Sequence, residues 1–282
     1  MPPTGDVLRG RRILITGPAR GIGAETATQL ARRGARVALV GLEPDRLAEL
    51  AARLGPDAAW FEADVRDGAA LEKATVGTVE RFGGIDAVVA NAGIVHLGSV
   101  AGIEPHRFEE VIDVNLLGVW RTIRATLPEV LAAKGYVLAV ASMAAAIHLP
   151  LMAAYTAAKA GVAAMMDSLR IELDGTGVSV GVAYFSFIDT DMTHDATDDP
   201  LVRAVQQRAG RFSRDPRSLP VAAAGQALVG AIERRARSVV LPRYARPALA
   251  APAPFQRVAE AISRGLGAPE AIRGAEPPAG ER

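Results

Sequence analysis

The chain has 282 residues, half of them apolar, and its 32 basic and 31 acidic side chains give a formal net charge of +1. That length allows one large domain with a sizeable core, or two small ones, and the near-neutral balance offers no field suited to gripping nucleic acid. With no cysteine, and with His96, His106, His148 and His194 scattered without ligand-like spacing, neither a disulfide framework nor a metal centre is expected.

The opening MPPTGDVLRGRRILITG holds no apolar segment long enough for a secretory signal, so a cytoplasmic protein is expected. RRILITG is a short β-branched run ending in glycine, followed by the helical AETATQLARRG. ARVALVG precedes helical PDRLAELAARLG, and AAWFEADV precedes helical LEKATVGTVERFGG. IDAVVANAG comes next, then one long helical stretch, EPHRFEEVIDVNLLGVWRTIRATLPEVLAAKG, and then YVLAVAS. A helix over about 153–173 precedes VSVGVAYFSF. Residues 136–158 carry no charge and are long enough to cross a bilayer. Alanine, Ser142, His148 and Pro150 lower the hydropathy and split the stretch in two, giving two buried elements and no membrane span. Short uncharged strands, each followed by a helix, predict an α/β domain whose doubly wound parallel sheet carries helices on both faces.

Beyond Ile188 the pattern changes. DTDMTHDATDDP is polar and acidic, which predicts an exposed, mobile loop; helical segments and a last short strand at SVVLP follow. The domain is placed at 1–245, and 246–282 is an Ala/Pro/Arg-rich tail with one possible amphipathic helix, FQRVAEAISRGLG. The tail reads as surface chain, with a cap on a partner subunit or a weak membrane contact as alternatives. No internal repeat is present.

The first strand ends in TGPARGIG, placing Gly17, Arg20, Gly21, Ile22 and Gly23 at the entrance to the first helix. Glycine there permits a tight turn and close approach of a phosphate, which the helix N-terminus attracts. Between the first strand and helix of a βαβ unit, that is the context a dinucleotide site requires. A second oddity is YTAAK at 155–159, where one of only three lysines in a chain of twenty-nine arginines follows a tyrosine by four residues.

These motifs, with DV at 64–65, NAG at 91–93, VN at 114–115 and Ser142, resemble the short-chain dehydrogenase/reductase family in order and spacing over roughly residues 10 to 245. The resemblance implies a single Rossmann-type domain of seven parallel strands, an NAD(P) cofactor and reversible carbonyl/alcohol oxidoreduction. It also implies a homodimer or homotetramer built through the helices around 105–130 and 153–173. Tyr155 and Lys159, at i and i+4, share one helix face. A nearby ammonium would lower a phenol pKa of about 10, fitting Tyr155 to act as general acid and base. By the resemblance, Lys159 holds the nicotinamide ribose, Ser142 orients the substrate oxygen, and Asn115 anchors a water that relays protons. Asp64 and Val65 would bind adenine, Asn91, Ala92 and Gly93 would lie along the cofactor, and Ile188 and Thr190 would contact its carboxamide. Capping or helix-interior roles are the structural alternatives for Ser142, Asp64 and Asn115.

Two departures stand out. The second strand ends in Gly41-Leu42, without the acidic side chain that accepts from an NAD ribose. Arg20 could meet a 2′-phosphate and Glu43 could still reach a ribose; NADP is preferred over NAD. After the sixth strand, Phe185-Ser186 replaces the family's usual Pro-Gly, which is expected to set a ring beside the nicotinamide. The pocket walls, 144–152, 94–97 and 185–187, are mainly apolar, with His148, Phe185 and Phe187 as candidate substrate contacts, so a lipophilic alcohol or ketone is expected. A non-catalytic dinucleotide-binding regulator is the alternative.

Overall fold

The structure, a computed structural model, describes residues 7–198, 202–203 and 218–275. Seven largely apolar runs form strands: β1 (Arg12–Thr16), β2 (Arg36–Gly41), β3 (Ala58–Glu62), β4 (Ala87–Ala90), β5 (Tyr136–Val140), β6 (Ser179–Phe185) and β7 (Ser238–Leu241). They make one sheet of order β3-β2-β1-β4-β5-β6-β7, with every pairing parallel. Between and after them run α1 (Gly21–Arg32), α2 (Pro44–Leu54), α3 (Gly68–Phe82), α4 (Pro105–Ile112), α5 (Gly118–Ala132), α6 (Ala153–Glu172), α7 (Asp191–Asp198) and α8 (Val221–Arg234). This is a Rossmann-type doubly wound domain.

Successive strand residues point to opposite faces, and the core divides accordingly. Ile13 and Ile15 pack with Leu30, Leu47 and Leu228 on one face of the sheet. Leu14 packs with Val88, Val119, Val162 and Met166 on the other. Each such side chain contributes about 1.5–3 kcal/mol by its burial, so stability resides in these two layers. Strand order reverses at β1, with β2 and β3 on one side and β4 to β7 on the other. A crevice therefore opens at the carboxyl ends of β1 and β4, and it receives the glycine turn, residues 91–93, Ser142 and the segment after β6.

Three expectations about local structure need correction. The long helix is not continuous: a π-helical turn, Asp113–Leu117, separates α4 from α5. The acidic stretch after Ile188 is largely helical, as α7, while its residues 199–200 lie outside the described residues. The tail carries α9 (Arg246–Ala250), α10 (Pro252–Gly265) and α11 (Ala268–Ala275) where one helix was expected; residues 276–282 lie outside the described residues. The charge-free stretch divides into β5 and the start of α6, and among the described residues no helix is long and apolar enough to cross a membrane.

Candidate active site

The turn from β1 into α1 depends on its glycines. Gly17 (φ 67°) and Gly21 (φ 56°) occupy the left-handed region, and a Cβ on Gly17 would lie 2.8 Å from Ala92 Cα. A Cβ on Gly23 would lie 2.5 Å from the Gly17 carbonyl oxygen and 2.7 Å from Asn91 Nδ2. Arg20, at the N-cap of α1, makes no side-chain capping bond and the first turn holds no acidic residue, so the helix end stays attractive to an anion. Asn91 fastens the turn to β4: its Nδ2 donates to the Thr16 and Gly17 carbonyls at 3.0 and 3.1 Å, and its backbone N–H donates to Thr16 Oγ1 at 3.1 Å. Thr16, which the sequence reading did not single out, is buried at the centre of this arrangement and also accepts from Ala92 N. Thr190 Cγ2 would lie 3.4 Å from a Cβ on Gly21, so the segment after β6 reaches back to the glycine turn.

Gly93 brings two polar side chains together. A Cβ built on it would lie 3.0 Å from Asn115 Oδ1 and 3.6 Å from Lys159 Nζ. Asn115 is fully buried in the π turn, with both ends of its amide on Ile94: Oδ1 accepts from Ile94 N at 2.8 Å and Nδ2 donates to Ile94 O at 2.7 Å. Neutral pairing of this kind satisfies an otherwise costly buried amide. π turns concentrate at functional sites.

Ser142 follows β5, and its Oγ accepts from Ala144 N at 3.1 Å, capping the short turn Met143–Ala145. The same hydroxyl donates to the Phe185 carbonyl at 3.2 Å and lies in hydrogen-bonding reach of Tyr155. The capping alternative and proximity to Tyr155 thus coexist in one side chain. Tyr155, in the first turn of α6, packs its ring with Val111, Ala154 and Ala158. Lys159 is 3 % exposed; its Nζ donates to the Val140 carbonyl at 2.8 Å and stands 5.6 Å from the centre of the Tyr155 ring. Burial holds the Tyr155 phenol above its ordinary value, opposed only in part by the Ser142 hydrogen bond. Burial also draws Lys159 down to about 8. The expected depression of the phenol by the ammonium does not appear here: burial sets the direction for both groups.

At the adenosine end, Arg20 and Glu43, the rival determinants of the ribose, are bonded to each other. Arg20 Nη2 lies 2.8 Å from Glu43 Oε1, and Arg46 adds a contact of 3.3 Å to Oε2. Asp64 is held by Arg66, whose N–H and Nε each donate at 2.8 Å. Burial acting alone would raise the Asp64 carboxyl, yet these bonds hold it below its ordinary value. The cap of α3 is Asp67, which accepts from Ala69 N and Ala70 N, so Asp64 has no capping role there. Val65 is buried against Gly118.

Phe185 corrects the expectation of a ring beside the nicotinamide. It is 3 % exposed and belongs to the core with Ile15, Ile188 and Leu228. What it presents toward Ser142 is its backbone carbonyl. Phe187 is partly buried, and its carbonyl accepts from Leu219 N at 2.9 Å, while Ile188 bridges Leu219. Thr190 Oγ1 donates to Ile188 O at 3.3 Å. His148 is exposed on the loop after Ser142, and its backbone is bound by Gln256 of α10, a residue that sequence reasoning missed.

Residues 11–201 match the short chain dehydrogenase family. D-threitol dehydrogenase of Mycolicibacterium smegmatis is 34% identical over 212 residues, covering 73% of this chain and 82% of that protein. Glycine betaine reductase of Emericella nidulans is 32% identical over 213 residues, 74% of this chain, but the chain spans only 17% of that protein's length. Among solved structures, an alcohol dehydrogenase from the archaeon Thermococcus sibiricus complexed with 5-hydroxy-NADP superposes with a TM-score of 0.69 at 27% identity, over 82% of this chain and 95% of that one. The 3-ketoacyl-(acyl-carrier-protein) reductase from Brucella melitensis complexed with NADH gives 0.73 at 25% identity, over 83% and 97%.

Proposed function

The chain belongs to the short-chain dehydrogenase family and is an NAD(P)-dependent oxidoreductase, and from that premise we propose that it interconverts an alcohol and a carbonyl on a lipophilic substrate, with Tyr155 as general acid and base. The observation that carries this reading is the meeting of Tyr155, Ser142 and Lys159 where β5 and α6 adjoin Gly93. The residues suit a dinucleotide: Gly17, Gly21 and Gly23 leave a cradle that Cβ atoms would fill, at an α1 N-terminus that no side chain caps. In this reading Gly17, Arg20, Gly21, Ile22 and Gly23 hold the phosphates, and Asp64 and Val65 the adenine. Residues 91–93 and Lys159 hold the ribose side, and Ile188 and Thr190 the carboxamide. A bound nicotinamide supplies or accepts the hydride.

The protein's own part is proton handling and orientation. A phenol is protonated at neutral pH and burial raises it further, so Tyr155 stands in the form required of a general acid in carbonyl reduction. Ser142 has one proton and spends it on the Phe185 carbonyl; turning that proton to a substrate oxygen orients the carbonyl for Tyr155. Lys159, cationic below about 8, faces Tyr155. Both ends of the Asn115 amide are taken by Ile94, which fixes Asn115 in place to anchor, in this reading, a water that relays protons. The walls near Ile94, Ile147, Leu149 and Phe187 suit a lipophilic compound. A cytoplasmic homo-oligomer formed through α4, α5 and α6 belongs to the same reading. The regulator alternative rested on Gly41 and on Phe185-Ser186; the Phe185 ring lies in the core and gives it no support.

NADP is favoured over NAD because two guanidiniums, Arg20 and Arg46, meet one carboxylate at the end of β2. The Arg20–Glu43 pair is exposed and worth at most about 1 kcal/mol, so a 2′-phosphate can draw Arg20 away from it. Titration with NADPH and then NADH, followed by quenching of Trp60 and Trp120, should show tighter binding of NADPH; binding of neither would sink the whole reading. Gly41 provides the complementary test. A Cβ there meets nothing closer than Leu47 Cδ1 at 3.6 Å, so Gly41→Asp is sterically tolerated. The added carboxylate should move the NADPH/NADH preference toward NADH by about tenfold or more, the worth of one charge-assisted hydrogen bond.

A further inference from the structure

Residues 143–152 join Ser142 to Tyr155 with little regular structure of their own: one short turn, Met143–Ala145, and one bridge, Gly98 to Met152. Their position must therefore be imposed from outside. At the near end Met143, 8 % exposed, packs with Val240 and with Ala248 of α9. At the far end Gly98 N donates to Leu151 O at 2.9 Å. In the middle, His148 N–H donates to Gln256 Oε1 at 2.8 Å, and Gln256 Nε2 donates back to His148 O at 3.3 Å. One side-chain amide thus takes both main-chain groups of a single residue, as a neighbouring strand would.

α10, which carries Gln256, buries no side chain; Phe255, Val258 and Ile262 remain exposed along it. Apolar packing does not fix this helix against the loop, so the paired amide contacts are what tie the two together. The flanking residues of His148 are Ile147, packed on the α9 side, and Leu149, 39 % exposed. Where His148 is held decides where these two apolar side chains stand relative to Ser142 and Tyr155.

We propose that Gln256 is a positioning residue for substrate recognition, its amide holding the 143–152 loop in the register that admits a bulky lipophilic carbonyl compound beside Ser142 and Tyr155. This deepens the alcohol/carbonyl reading and rests on it. Gln256 touches no reacting atom; it acts through the His148 backbone.

The test pairs Gln256→Met, of similar length but unable to pair, with Gln256→Glu, which keeps the acceptor for His148 N–H. Each is assayed with NADPH on acetophenone and on acetone, alongside hydrogen exchange at the His148 amide, NADPH affinity and Tm. In Gln256→Met, the KM for acetophenone should rise about tenfold and His148 exchange should quicken by about the same factor, the worth of a lost hydrogen bond pair. For acetone the KM change should stay under about threefold, with kcat, NADPH affinity and Tm little altered. Gln256→Glu keeps the acceptor but sets a carboxylate oxygen against the His148 carbonyl and beside Glu260, so it should recover only part of the loss. An unchanged acetophenone KM overturns the proposal, and so does a parallel fall in kcat, NADPH affinity and Tm, which would mark general loosening. If the wild-type chain turns over neither ketone nor any alcohol, the reading beneath it fails separately. An unchanged His148 exchange rate removes the clamp in either case.

Discussion

Tyr155→Phe should lower kcat by about 10³-fold, the usual worth of a positioned acid/base group, while NADPH still binds. The phenyl ring keeps every apolar contact of the tyrosine with Val111, Ala154 and Ala158. Only the hydroxyl is lost, and its partner is not orphaned. Ser142 Oγ retains Ala144 N and the Phe185 carbonyl, so no buried polar atom is stripped of its bonds. Stability should accordingly stay within about 1 kcal/mol of wild type. Turnover within about tenfold of wild type would show that some other group moves the proton. Ser142→Ala is a less clean probe, because it also removes the cap on Ala144 N, a loss of about 1 kcal/mol on its own.

The elements that carry this site were open to a reader of the sequence to different degrees. The strands were legible because most are short runs rich in β-branched residues, and a sheet buried on both faces needs such runs. Gly17 and Gly23 were legible because only glycine fits where a Cβ would strike Ala92 or the Gly17 carbonyl. The π turn was not, since apolar spacing runs unbroken through VIDVNLL; the widening accompanies the lock of Asn115 on Ile94, a tertiary contact. The direction of Phe185 had a signal that went unread. Along SVGVAYF, Val180 and Val182 pack on one face and Ala183 and Phe185 on the other, as strand alternation requires. The Tyr155 phenol had no such signal, because its direction is set by burial, which spacing at i and i+4 does not reveal. Gln256 reads from sequence as one more polar residue on an amphipathic helix.

Lys159→Met isolates that burial. In the folded protein the ammonium is drawn down to about 8 from an ordinary 10.5. Below about 8 both folded and unfolded chains hold this proton, and the folded state carries the full cost of a buried charge. Between about 8 and 10.5 the unfolded chain still binds the proton and the folded chain has released it, so wild-type stability rises with pH across that window. The interval corresponds to about 3 kcal/mol. Methionine has no proton to lose, and it leaves the Val140 carbonyl without its donor at every pH. That second loss, about 1–3 kcal/mol, is constant and cancels when the two pH profiles are compared. Urea unfolding of both proteins at about pH 7 and about pH 10 should therefore show the wild type gaining about 2–3 kcal/mol on the variant. Parallel profiles would mean that Lys159 keeps an ordinary pKa and that burial does not set its charge. Turnover should be lost in the variant throughout, together with NADPH affinity. Loss of affinity here, against NADPH binding retained in Tyr155→Phe, would assign the cofactor contact to Lys159 and the proton to the phenol.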